Sequence, residues 1–117
     1  MVTPSAGAVV VVPFPFSNLT LAKPRPAVVL ADAGRGDLIL CQVTSNPYAD
    51  PRAVELTEIS FAQGSLRITS YARPGKLFTA SRELILSQAG VLTAVAFQVI
   101  IESVIHILRT GHSDDLH

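Results

Sequence analysis

Arg25 stands between Pro24 and Pro26 in the octet Lys23-Pro24-Arg25-Pro26-Ala27-Val28-Val29-Leu30. Each proline fixes its own φ, and Pro26 also keeps Arg25 out of the helical region, so the backbone here is extended and stiff. A guanidinium mounted this way is suited to meet a phosphate, because its planar fork donates to two oxygens at once. The plainer reading of the octet alone is a solvated surface arginine in a proline-rich turn. Other reactive side chains offer less. Cys41 is the only cysteine; it lies in an apolar run with no histidine near it in sequence and reads as a small core residue. His106, His112 and His117 all fall in the C-terminal stretch. No His, Cys, Asp or Glu set has ligand spacing, so neither a metal nor another cofactor is expected. Thr44 and Ser45 place two hydroxyls at the end of an apolar run, which taken alone reads as strand capping.

These residues need a scaffold. A chain of 117 residues makes one domain, 1–117, able to bury roughly two thirds of its unfolded surface. A composition 49% hydrophobic and 15% charged excludes a disordered tail protein. Plentiful valine and isoleucine with no tryptophan fit a compact barrel or sandwich core. One cysteine gives no disulfide framework and points to a reducing cytoplasm. No apolar run approaches the ~18 residues of a membrane span, and no basic segment precedes the N-terminal apolar stretch, so neither a membrane partner nor a signal peptide is expected.

The formal net charge is zero, which on its face argues against nucleic acid. Its distribution is uneven. Residues 1–82 carry eight Lys or Arg against five Asp or Glu, and residues 83–117 carry one against four. A basic body with an acidic tail section can still present a local phosphate-binding face.

Taken in order, residues 8–12 are a β-branched run that predicts a buried strand, ended by Pro13-Phe14-Pro15-Phe16 because successive prolines cannot continue a central strand. A polar loop over 17–22 leads to the Arg25 mount. Strands follow over 27–31 and 38–45, joined by a Gly- and Asp-rich turn over 32–37. Asn46-Pro47 and Asp50-Pro51 bracket a loop, and 53–56 is a short strand. Gly64 marks a turn before 66–71, where alternation of Leu66 and Ile68 with Arg67 and Thr69 predicts a half-exposed strand. Arg73-Pro74-Gly75-Lys76 reads as a turn, 77–79 as a short strand, 81–83 as a helical turn and 84–87 as extended. Gly90 is expected to break the chain. Thr93 is placed as the N-cap of a helix over 94–109 that Gly111 ends. Phe97, Ile100, Ile101, Val104, Ile107 and Leu108 form its apolar stripe, with Gln98, Glu102, His106 and Arg109 opposite. The plan is mainly β, five to seven short strands over about 7–92 closed into a small barrel, with one C-terminal helix packed beside it.

In that order, VVVVPFPFSN, KPRPAVVL, GDLILCQVTS, SYARPGKLFT and a final amphipathic helix resemble the MazF/PemK family of toxin endoribonucleases, over roughly residues 7–108. The resemblance implies an SH3-like barrel of the MazF/PemK/CcdB type and a homodimer. It also implies metal-independent cleavage of single-stranded RNA and inhibition by a cognate antitoxin protein. By the family pattern the catalytic pair falls on Arg25 and Thr44. Ser17, Asn18, Lys23, Gln42, Ser45, Arg73 and Lys76 are the candidate substrate-binding residues. Some family members carry an acidic residue near the turn holding Arg73; here Ala72 and Gly75 stand there, and no carboxylate occurs from 60 to 82.

Metal-free cleavage requires the 2′-OH to attack the adjacent phosphate, leaving a 2′,3′-cyclic phosphate and a 5′-OH. Arg25 suits stabilisation of the phosphorane charge, typically worth about 3–4 kcal/mol, and Thr44 and Ser45 can donate to the same oxygens. Side chains alternate along a strand, so Gln42 shares a face with Thr44 while Cys41 and Val43 point the other way. Neither histidine nor carboxylate is at hand for the proton steps, so the general base is unassigned and a slow enzyme is expected. Two rival readings stand beside this one: a CcdB-like gyrase binder of the same fold, and an inactive relative that still binds its antitoxin.

Overall fold

The computed structural model describes residues 4–15, 22–47 and 49–112. Seven strands form one antiparallel sheet: β1 (Ala8–Pro15), β2 (Ala22–Gly34), β3 (Asp37–Thr44), β4 (Val54–Leu56), β5 (Phe61–Gly64), β6 (Ser70–Ser81) and β7 (Ser87–Leu92). Their order across the sheet is β4-β6-β3-β2-β1-β7-β5. The two edges, β4 and β5, are consecutive in the chain and joined through a 3-10 turn, Glu58–Ser60, so the sheet curls into a nearly closed barrel. One helix, α1 (Ala94–Thr110), follows. It is not long and apolar enough to cross a membrane. The mainly β barrel with a C-terminal helix is thus as the sequence predicts.

The long β1–β2 ribbon corrects the expected stop at Pro13. β1 continues to Pro15, with Val12 opposite Arg25, Pro13 opposite Pro24 and Phe14 opposite Lys23. The reason lies in which side each backbone group faces. Val11 turns its carbonyl away from β2 to accept the Leu86 N–H at 2.8 Å, and the β1–β7 pairing ends there. Alternation turns Pro13 and Pro15 to that same flank, where no N–H is called for. Pro24 and Pro26 likewise face away from β1, and β3 pairs with β2 only from Ala27 onward. The rings of Pro13, Pro24 and Pro26 therefore occupy positions that a ladder does not need.

Strand alternation divides the core in two. Leu38 and Leu40 of β3 join Val10, Val12, Ala27 and Val29 on one face, with Phe78, Ala80 and Ile85 against them. Cys41 and Val43 join Val9, Val28, Leu56 and Ala72 on the other, where α1 lays Ile100 and Val104. Each fully buried Val, Leu or Ile among them contributes about 1.5–3 kcal/mol relative to exposure. Burial on both faces explains why β1 and the core of β2 read as continuous apolar runs rather than alternating ones. Thr93 caps the helix by accepting the Ala96 N–H at 3.1 Å, and Gly111 ends it in the left-handed region at φ 84°. Leu108, expected in the stripe, is 70% exposed. His106, expected opposite the core, is half-buried against the cleft formed with Arg52 and Val54.

Several local readings change. Residues 66–69 are not a strand: the Ser65 hydroxyl accepts the Arg67 N–H at 2.8 Å and Arg67 takes φ 71°, a turn that interrupts the alternation. Residues 73–76 are not a hairpin turn but part of β6. Gly90 does not break the chain; it lies within β7, because β5 crosses so closely that an added Cβ would meet the Gln63 carbonyl and come 2.9 Å from Phe61 Cδ2. The 3-10 turn Arg82–Leu84, capped by Ser81, falls where a helical turn is expected, whereas the turn expected over 32–37 narrows to Arg35-Gly36, with φ 59° and 82°, because β2 runs on to Gly34.

Candidate active site

Along one face of β3 the side chains change character: Leu38 and Leu40 are apolar and buried, Gln42 is polar and 7% exposed, and Thr44 is half-buried at the strand end. The neighbouring strand does the same. Val29 and Ala27 are buried, and Arg25, on the same face, is exposed. Ala27 is opposite Gln42, the last couple of the β2–β3 ladder. Carrying that register two residues further sets Arg25 opposite Thr44, where the prolines beside Arg25 have released the two strands from pairing. A guanidinium and a hydroxyl thus stand at adjoining strand ends on one face. The Thr44 Oγ1 accepts the Asn46 N–H at 3.2 Å, which fixes the hydroxyl and leaves its proton to donate outward.

The row continues across the sheet. Thr44 is opposite Tyr71 on β6, and Tyr71 is opposite Glu55 on β4. Val43, Ala72, Val54 and Leu56 pack on the helix side, so alternation turns Thr44, Tyr71 and Glu55 to the face that bears Arg25. With paired strands about 4.8 Å apart, Thr44, Tyr71 and Glu55 span a line of about 10 Å. On the same face, Phe14 of β1 and Phe78 of β6 meet edge to face with ring centroids 4.9 Å apart. Those strands are separated by two others, so the sheet is curled toward this side.

Between Val43 and Cys41 the register with β6 slips from Ala72 to Leu77, so Arg73-Pro74-Gly75-Lys76 bulges out of the ladder. The bulge is held from three directions. Arg73 Nε donates to Asp50 Oδ2 at 2.9 Å, the Cys41 thiol donates to the Arg73 carbonyl at 3.2 Å, and Pro74 is fully buried. Burial, with the Asp50 carboxylate nearby, pushes the Cys41 thiol up to about 12; it is no nucleophile.

Of the residues singled out from the sequence, Arg25, Thr44 and Gln42 share the face, with Lys23 two residues from Arg25 and exposed. Gln42 lies beneath the surface, and its Oε1 has no hydrogen-bond partner among the described residues. Ser45 is exposed just past β3, and Lys76 is exposed at the end of the bulge. Arg73 is bound to Asp50 instead of reaching freely into solvent. Ser17 and Asn18 lie outside the described residues. Among the described residues, no three His, Cys, Asp or Glu side chains group as a metal-ligand set. Sequence reasoning missed Tyr71, Glu55 and Asp50. No local signal marks them: the first two enter through a register set by the bulge, the third through a pairing 23 residues away.

A family model described as "PemK-like, MazF-like toxin of type II toxin-antitoxin system" matches residues 5–108. No curated protein matches the chain by sequence. Among solved structures, MazF from Deinococcus radiodurans aligns with TM-score 0.73 at 22% identity, covering 93% of this chain and 99% of that one. A MazE-MazF structure from the same organism aligns with TM-score 0.74 at 21% identity, covering 93% and 98%. An endoribonuclease in complex with its cognate antitoxin, from a mycobacterial species, aligns with TM-score 0.66 at 14% identity, covering 96% and 97%. At these identities the structural likeness speaks for the fold.

Proposed function

Given that the chain belongs to the PemK-like, MazF-like toxins of type II toxin–antitoxin systems, we propose that it is a sequence-selective endoribonuclease acting on single-stranded RNA without a metal, as a homodimer in the cytoplasm, and neutralised by a cognate antitoxin. The observation that supports this reading is that Arg25 and Thr44 share one face of neighbouring strands, each two residues past the last β2–β3 couple, Ala27 with Gln42. A phosphodiester held there has two non-bridging oxygens for the Arg25 fork and the Thr44 hydroxyl to donate to.

In the reaction the RNA 2′ oxygen forms a bond to phosphorus and loses its proton to water. The bond from phosphorus to the 5′ oxygen breaks, and that oxygen takes up a proton. The products are a 2′,3′-cyclic phosphate and a 5′-hydroxyl. Arg25 stabilises the added negative charge of the phosphorane, and its rigid mount means little reorganisation as that charge develops. Thr44 orients the phosphate for in-line attack. Lys23 adds positive potential, and Gln42 and Ser45 support Thr44 from within and beside the strand.

The test is cleavage of unstructured RNA in EDTA, with 5′ ends mapped and termini identified. Wild type is expected to cut at a limited set of sites, Arg25→Ala to lose activity by a factor of 100 or more, and Thr44→Ala to fall by about tenfold, each with unchanged circular dichroism. Intact RNA with wild-type protein rejects the proposal, and gyrase inhibition by the same preparation would favour the binder reading.

A further inference from the structure

Tyr71 and Glu55 extend the row past Thr44, away from Arg25, and a carboxylate there needs an explanation. Glu55 is exposed and Tyr71 half-buried. A carboxylate beside a polyanion is repelled by every phosphate, so Glu55 does not hold the phosphates. It suits only hydrogen-bond donors. The spacing says which. With a phosphate at Thr44, the tyrosine ring lies one strand away, about 5 Å, and the carboxylate two strands away, about 10 Å. A nucleotide has the same proportions: the base plane starts a sugar's width from its phosphate, and the far edge of the base lies roughly twice as far.

We infer that Tyr71 and Glu55 form a base-reading subsite, in which the base next to the scissile phosphate stacks on Tyr71 and presents its Watson–Crick edge to Glu55. This rests on the nuclease reading for the position of the phosphate. An acceptor-only carboxylate distinguishes the four bases by their donors. Guanine offers N1–H and the N2 amino group side by side, matching both carboxylate oxygens. Adenine and cytosine each offer one amino group. Uracil offers a single N3–H between two carbonyls that the carboxylate repels. The subsite therefore selects guanine first and uracil last.

The experiment uses single-stranded 2′-O-methyl RNA hexamers, which cannot be cleaved because the attacking oxygen is blocked. The two bases flanking the central phosphate are guanine, adenine, cytosine or uracil. Binding is titrated with wild type, Glu55→Gln and Tyr71→Ala. Wild type is expected to prefer guanine over uracil by about tenfold or more. Glu55→Gln should flatten that preference to within about threefold. Tyr71→Ala should weaken all four hexamers by a similar factor, since stacking is tolerant of sequence. Equal binding of guanine and uracil hexamers by wild type overturns the inference, as does a guanine preference that survives Glu55→Gln, or no measurable binding at all. Unmodified RNA is mapped in parallel. Uncut RNA together with a Glu55-dependent preference refutes the nuclease but keeps the subsite; cut RNA with no such dependence does the reverse. Loss of all cleavage in Glu55→Gln with its base preference unchanged would make Glu55 a catalytic group and also reject the inference.

Discussion

Asp50 Oδ2 accepts a hydrogen bond from Arg73 Nε at 2.9 Å, with the two side chains only 10% and 20% exposed. The same carboxylate accepts the Arg52 N–H through Oδ1 at 2.9 Å. One acidic residue therefore fixes both its own loop and the β6 bulge. Asp50→Ala should lower stability by about 2–3 kcal/mol, because a largely buried guanidinium loses its charged acceptor. Asp50→Asn, which keeps the shape, should cost about half as much. Urea unfolding measures both, and a loss under 0.5 kcal/mol in Asp50→Ala would show the bulge to be held by other contacts.

Cys41 provides a pH signature. Its thiol ordinarily ionises near 9.0, and burial raises this to about 12 in the folded protein. Below pH 9 both folded and unfolded chains keep the proton, and the contribution to stability is complete. Between pH 9 and 12 the unfolded chain releases the proton while the folded one holds it, so stability falls as pH rises, by up to about 4 kcal/mol. Cys41→Ala should remove that component of the alkaline slope. The wild-type thiol should also resist iodoacetamide at pH 8 until the protein unfolds.

The β5–β7 crossing depends on two glycines. Gly90→Ala puts a methyl group against the Gln63 carbonyl and the Phe61 ring, and should cost about 1–3 kcal/mol. Gly64→Ala should cost more, since Gly64 has φ 71° and its Cβ would meet the Ala89 carbonyl. Hydrogen exchange should show early loss of protection in β5 and β7 with β2 and β3 unaffected. Uniform loss across the sheet would indicate that the crossing is not a separate unit.

Arg25 and Thr44 should tolerate substitution differently. Arg25→Lys keeps the charge but not the two-pronged fork, and activity on RNA should stay at least tenfold down. Thr44→Ser keeps the hydroxyl and should stay within about threefold of wild type. Full activity in Arg25→Lys would mean that charge alone, without bidentate geometry, is enough.

What could be read from the chain follows the range of each interaction. The Thr93 cap and the Gly111 stop are written within three or four residues, and they stand where the sequence puts them. The two-sided burial of residues 8–12 and 27–31 is likewise in the residue types. Pro13 misleads, because whether a proline ends a strand depends on which flank its nitrogen faces, and that is known only once the pairing with β7 is seen to end at Val11 and Ser87. Arg25 and Thr44 were visible as a pair through resemblance, and alternation alone already linked Gln42 to Thr44. Tyr71 and Glu55 were not visible. Their alignment with Thr44 depends on a slip of three residues in β6, which no pattern in Arg73-Pro74-Gly75-Lys76 announces.

Pro13, Pro24 and Pro26 have one more effect, on the chain's neighbours in a crowded solution. A bare sheet margin invites a foreign segment to add itself as another strand, the first step toward insoluble aggregate. Here the stretches of β1 and β2 that extend past their outer partners carry rings where such a visitor would look for N–H groups. The ribbon can leave its face uncovered while offering no template to another polypeptide.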